Sequence, residues 1–188
     1  MPIAQAIEAG GVRVIEFTMG TPNALDAIHQ IAHEWGDRIL LGAGTVLDPE
    51  TGRAALLAGA QFLVAPNFNP GLIELARRYN KIIVPGAFTP TEILAAWECG
   101  ADIVKVFPAS SVGPQYIKDI LGPLPYVRLL PTGGVSLDNI PAFIAAGAAA
   151  VAVGASLTDP KLIKEGNWTG LTEHAQRFAQ AVQRARGQ

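Results

Sequence analysis

The sequence predicts an α/β fold, a parallel sheet closed as a (β/α)₈ TIM barrel, from three observations. Short apolar runs recur at near-equal spacing, a helical pattern follows each, and helices enter the next run through a shared turn signature. The runs are VRVIEFT from 12, ILLGAGTV from 39, QFLVAP from 61, KIIVPGA from 81, DIVKVFPA from 102, VRLLPTGG from 127 and AAVAVGAS from 149. Their starts lie 27, 22, 20, 21, 25 and 22 residues apart, which is the rhythm of βα units. Runs that are apolar throughout, rather than alternating, are covered on both faces, and this requires parallel strands. A series of equal units closes most naturally into a barrel.

The elements follow in order. The chain opens in a helical pattern over residues 3–9 with no strand before it, so seven strands are expected and the barrel's first strand is absent from this chain. A barrel short of one strand exposes two hydrogen-bonding edges, so the expectation is an N-terminally incomplete barrel with a further strand upstream. Helices that lead into strands end alike, in EAGG at 8, LAGA at 57, ECGA at 98 and AAGA at 145. Glycine there suits a left-handed C-terminal cap. Helix starts are expected after Thr21-Pro22, Asp48-Pro49 and Thr89-Pro90, where a capping side chain precedes a proline fit for the first turn. The 188 residues are enough for one domain, spanning 1–188, and too few for two ordinary ones.

Composition narrows the partners. A formal charge of −2 with no basic block argues against nucleic acid and anionic membrane, which leaves small molecules. The single Cys99 allows no internal disulfide and no cysteine-built metal site, and suggests a reducing compartment. His29 and His33 are spaced i, i+4, but in a polar helical stretch beside Glu34 and Asp37, so no metal site is assigned. No run reaches the roughly 18 apolar residues of a membrane span. The N-terminus has neither the basic nor the apolar region of a signal peptide, so a cytoplasmic location is expected.

Chemistry is sought at the C-terminal ends of the strands, where parallel barrels place their active face. Glu16, Thr45, Pro66, Asn67, Lys105, Gly133, Gly134, Gly154 and Ser156 fall there. Glu16 and Lys105 are the ionisable members. Lys105 sits among Ile103, Val104, Val106 and Phe107, where a charged ammonium costs several kcal/mol, so it turns outward, pairs or gives up its proton. A neutral amine in a pocket is a nucleophile for carbonyl carbon. Glu16 could instead be only a structural ion-pair partner. Lys81 starts its strand on the opposite rim, and Lys118, Lys161 and Lys164 fall in helices or loops as solvated charges. The glycines of PTGG and GAS, in adjacent units, fit a barrel phosphate site built from backbone N–H groups, though plain turn glycines read the same way singly.

With these residues in place, the sequence resembles the class I aldolases that cleave 2-keto-3-deoxy-6-phosphogluconate (KDPG) or 4-hydroxy-2-oxoglutarate. The resemblance runs from GGVRVIEFTMGTP through GAGTVLDPE, VKVFPA and PTGGVSLDN to VGAS. It implies a homotrimeric barrel with no metal and no organic cofactor, acting on a phosphorylated 2-keto acid. It implies Lys105 as the Schiff-base lysine, Glu16 as general acid/base, Thr45 at the pyruvate carboxylate, and Gly133, Gly134 and Ser156 at the phosphate. The family pattern often carries an arginine where this chain has Gly20, and losing a guanidinium removes a bidentate clamp on an anion. The segment VAPNFNP, with Pro66 and Asn67, is more similar to the related phosphogalactonate aldolases, which leaves the C4 stereochemistry open. Two other readings stand beside the aldolase: a phosphosugar epimerase or synthase on the same barrel, and a truncated scaffold without activity.

Overall fold

The computed structural model describes residues 1–187. Two compact units make up the chain, a middle unit of Val14–Lys105 and a terminal unit of Met1–Arg13 with Val106–Gln188.

In the middle unit, strands β1 (Val14–Thr18), β2 (Leu40–Gly44), β3 (Phe62–Val64) and β4 (Ile82–Val84) form one sheet in sequence order. Every pairing is parallel, with Glu16 opposite Gly42, Thr18 opposite Gly44 and Leu63 opposite Ile83. Helices α2 (Ala24–Trp35), α3 (Pro49–Ala58), α4 (Pro70–Arg78) and α5 (Pro90–Glu98) connect or follow these strands. A parallel sheet with crossover helices must be buried on its covered face, and Ile28, Ile31, Leu41, Leu63, Leu72, Ile73, Ile83 and Ile93 are at most 2% exposed. Truncating one of these leucines or isoleucines to alanine costs about 2–5 kcal/mol by the general behaviour of packed cores.

Local signals set the helix ends. Asp48 accepts from the Thr51 N–H at 2.6 Å and Pro49 takes the first turn of α3. Thr89 and Glu92 form a reciprocal capping box at the start of α5. The expected start after Thr21-Pro22 is displaced. Helix α2 begins at Ala24 with Asn23 as its cap, because Asn23 takes a left-handed conformation (φ 56°) that keeps the preceding residues in a turn. The glycines of the four shared turns, Gly11, Gly59, Gly100 and Gly147, all lie at positive φ.

The fourth apolar run is two strands rather than one, β4 and the two-residue β5 (Gly86–Ala87). Pro85 between them has no N–H to give to a ladder. Strand β6 (Val104–Val106) contains the unit boundary. Within the middle unit the Lys105 N–H donates to Pro85 O at 2.9 Å.

The terminal unit holds α1 (Pro2–Ala9), α6 (Gly113–Leu121), β7 (Leu129–Pro131), α7 (Ile140–Ala145), α8 (Pro160–Lys164) and α9 (Trp168–Ala185). The Thr132 N–H donates to Val106 O at 3.0 Å. The end of α1 lies against α9 so closely that a Cβ on Gly10 would be 2.6 Å from that of Ala175. Ile7, Ile140, Phe143, Leu171 and Phe178 form the buried faces. The run from 149 does not form the expected strand. Ala149 and Ala152 donate to Leu129 O and Pro131 O, but only a parallel bridge between Thr132 and Ala152 results. Alanine and glycine have little β preference, and the chain enters a turn at Gly154 before a ladder can extend. Among the described residues, no helix is long and apolar enough to cross a membrane.

Candidate active site

In the middle unit, side chains alternate across β1, so Glu16 and Thr18 share one face while Ile15 and Phe17 take the other. Glu16 is half-buried and reaches over β2. A Cβ on Gly44 would lie 2.7 Å from the Glu16 Cδ and Oε1 and 3.0 Å from Oε2. No side chain fits there without displacing the carboxylate, so the glycine of GAGT makes room for Glu16. Thr45, the next residue, is exposed at the end of β2 with φ 56°. That is a costly conformation for a β-branched residue and one found disproportionately at functional sites. Val46 returns to the interior and donates to Val64 O at 3.1 Å, which fixes the turn.

Lys105 lies in β6 between Val104 and Val106, both fully buried, and is itself only 6% exposed. Burial pushes its pKa below the ordinary lysine value of 10.5, opposed by the negative charge of Glu16. Burial raises the Glu16 pKa above 4.5, opposed by the positive charge of Lys105. In each case desolvation is the larger influence, and it favours the uncharged form of both groups. An amine that can be neutral beside a carboxyl that can hold a proton is the pair that nucleophilic attack on a ketone and loss of water require.

The loop after β3 is tied from both sides. The Gly86 N–H donates to Asn67 O at 3.2 Å, and Asn69 caps α4 while its Nδ2 donates to Leu47 O at 2.9 Å. Gly20 is exposed, and a Cβ there would meet nothing within 4 Å. The position is open for a long side chain that this chain does not supply.

In the terminal unit, Gly133 and Gly134 take φ of 85° and 77° after β7. A Cβ on Gly134 would be 2.6 Å from that of Ser110, so only glycine suits both the conformation and the space. Asn139 braces this turn. Its Oδ1 accepts from the Ser136 N–H and its Nδ2 donates to Gly134 O, both at 2.8 Å. Ser156 is exposed in the turn that follows Gly154. The structure therefore brings Glu16 and Lys105 together with Gly44 and Thr45 nearby in one unit, and sets Gly133, Gly134 and Ser156 on two turns of the other. Sequence reasoning did not single out Gly44 or Ser110. Strand register gives the signal for Gly44, since it lies two places along β2 from the residue opposite Glu16.

Comparison with known proteins finds relatives along most of the chain. The model for the KDPG and KHG aldolase family covers residues 1–174. A 2-dehydro-3-deoxy-phosphogluconate aldolase of Treponema pallidum (strain Nichols) is 37% identical over 183 residues, 97% of this chain and 87% of that protein. A 2-dehydro-3-deoxy-6-phosphogalactonate aldolase of Escherichia coli (strain K12) is 37% identical over 153 residues, 81% of this chain and 75% of that protein. A solved KDPG aldolase of Legionella pneumophila, with pyruvate captured at low pH as a covalent carbinolamine intermediate, gives a TM-score of 0.87 at 31% identity, covering 93% of this chain and 85% of that one. The fold class is accordingly the α/β, parallel-stranded, TIM-barrel-like fold of these aldolases. The chain belongs to the KDPG and KHG aldolase family and is a class I aldolase, a carbon–carbon lyase.

Proposed function

We propose that the protein cleaves 2-keto-3-deoxy-6-phosphogluconate to pyruvate and glyceraldehyde 3-phosphate through a Schiff base on Lys105. The observation that carries this is a lysine 6% exposed in an apolar strand, its pKa lowered by burial, beside a half-buried glutamate. The neutral amine attacks the C2 ketone, and Glu16 moves protons while the carbinolamine loses water. The protonated imine then draws electrons. When Glu16 takes the proton from the C4 hydroxyl, the C3–C4 bond breaks, its electron pair enters an enamine and the aldehyde leaves. Protonation and hydrolysis release pyruvate and restore the lysine. The iminium is the electron sink, so the scheme calls for no metal or organic cofactor.

Thr45 receives the substrate carboxylate in this reading, and Gly133, Gly134 and Ser156 receive its phosphate. The two units work as one aldolase domain, in a cytoplasmic homotrimer serving carbohydrate breakdown by the Entner–Doudoroff route. 4-Hydroxy-2-oxoglutarate, which has no phosphate, is a second substrate for the same chemistry. The phosphogalactonate epimer is the alternative, favoured by the relative from Escherichia coli and by the VAPNFNP segment with Pro66 and Asn67.

The test supplies both C4 epimers and measures pyruvate release. One epimer should yield pyruvate and glyceraldehyde 3-phosphate in equal amounts, and Lys105→Ala should release none. Conversion of either epimer without pyruvate would point to an epimerase or synthase, and a Lys105→Ala protein of near-normal rate would remove the Schiff base from the account.

A further inference from the structure

The turn that carries Ser156 is held from outside itself. Within the turn, Gly154 O accepts from the Leu157 N–H at 2.9 Å, the Thr158 N–H at 3.2 Å and the Thr158 hydroxyl at 3.3 Å. The Ser156 carbonyl is taken by helix α9, where His174 Nε2 lies 2.8 Å from Ser156 O. Arg177 Nη2 lies 2.6 Å from His174 Nδ1. A guanidinium has donors only, so Nδ1 accepts and the ring hydrogen sits on Nε2, where it donates to the Ser156 carbonyl. The ring also stands edge-on to buried Phe178, with centroids 5.1 Å apart and planes at 80°. Three contacts therefore fix the imidazole, and the imidazole fixes one peptide plane of the turn.

A carbonyl oxygen that swung toward a bound phosphate would set negative charge against negative charge. Anchoring that oxygen on α9 removes the conformation. We propose that His174 is a positioning residue that holds the Ser156 turn in the form that receives the substrate phosphate. This rests on the reading of Ser156 as a phosphate-binding residue. His174 acts through Ser156 and takes no part in bond making, so its loss should weaken capture of the phosphorylated substrate and leave the chemistry at Lys105 untouched.

The experiment compares His174→Ala, His174→Gln and Ser156→Ala with the parent protein in two measurements. One is KM and kcat for the preferred phosphorylated epimer. The other is the pyruvate concentration giving half-maximal borohydride-trapped adduct, a readout with no phosphate in it. His174→Ala should raise KM about two- to tenfold, the worth of one hydrogen bond, with kcat and pyruvate capture unchanged. His174→Gln, whose amide N–H can reach the same carbonyl, should recover most of the loss. If Ser156→Ala raises KM and His174→Ala does not, the positioning role is overturned while the phosphate site stands. Equal damage by His174→Ala to KM and to pyruvate capture would show a merely structural residue and also overturn it. If neither variant moves KM, the phosphate reading of Ser156 fails and takes the positioning role with it.

Discussion

At the scale of single residues, the proposed site rests on one conflict and one vacancy of side chain. The conflict is between burial, which disfavours charge on both Lys105 and Glu16, and their mutual attraction, which favours it. Both the lysine in its apolar run and the glutamate on β1 were legible in the sequence, because an ionisable residue interrupting an apolar strand is a local pattern. Gly44 was not, because its role depends on the neighbouring strand's register. Gly44→Ala places a methyl group against the Glu16 carboxyl, at a contact too short for real atoms. The carboxylate must shift while Lys105 stays in place. Turnover should fall about 10- to 100-fold, a fraction of the roughly 10²–10⁴-fold that Glu16→Gln should cost through lost proton transfer. Pyruvate capture by Lys105 should persist in both variants. A Gly44→Ala enzyme with the parent's kcat would show that Glu16 is not held by that contact.

Among the elements, capping chemistry decides how well the helices hold the strands that carry the site. Helix α5 precedes β6, and its start is fixed by Thr89 and Glu92. The backbone N–H groups of Phe88 and Thr89 hold the Glu92 pKa below its ordinary 4.5. In the window between the folded pKa and 4.5 the unfolded chain binds more protons, so the contribution is present above that window and lost as pH falls through it. Thr89→Ala should lower stability by about 1 kcal/mol in urea unfolding. Glu92→Gln should flatten the loss of stability on the acid side, and an acid limb identical to the parent's would contradict the assignment. These caps were readable from Thr89-Pro90 and Asp48-Pro49. Thr21-Pro22 looked the same and was not a cap, since the left-handed Asn23 decides where α2 begins and sequence spacing does not display backbone conformation.

For the molecule as a whole, six of the seven apolar runs became strands, because short β-branched runs between turn signals carry their own instruction. The seventh kept its place beside β7 but made a single bridge, which follows from its alanines and from the turn at Gly154. The contact of His174 with Ser156, 18 residues away, was beyond reach of any local pattern. The structure buries Lys105 as its apolar run led us to expect, and the proposed function rests on that lysine forming an imine. Borohydride trapping with pyruvate, run across pH and mapped by peptide mass spectrometry, tests it most directly. The account predicts one adduct of pyruvate on Lys105, with a trapping rate that rises with pH to a midpoint below 10.5, the ordinary lysine value. Folded protein that forms no adduct, or forms it on the solvated Lys118, Lys161 or Lys164 instead, would contradict it.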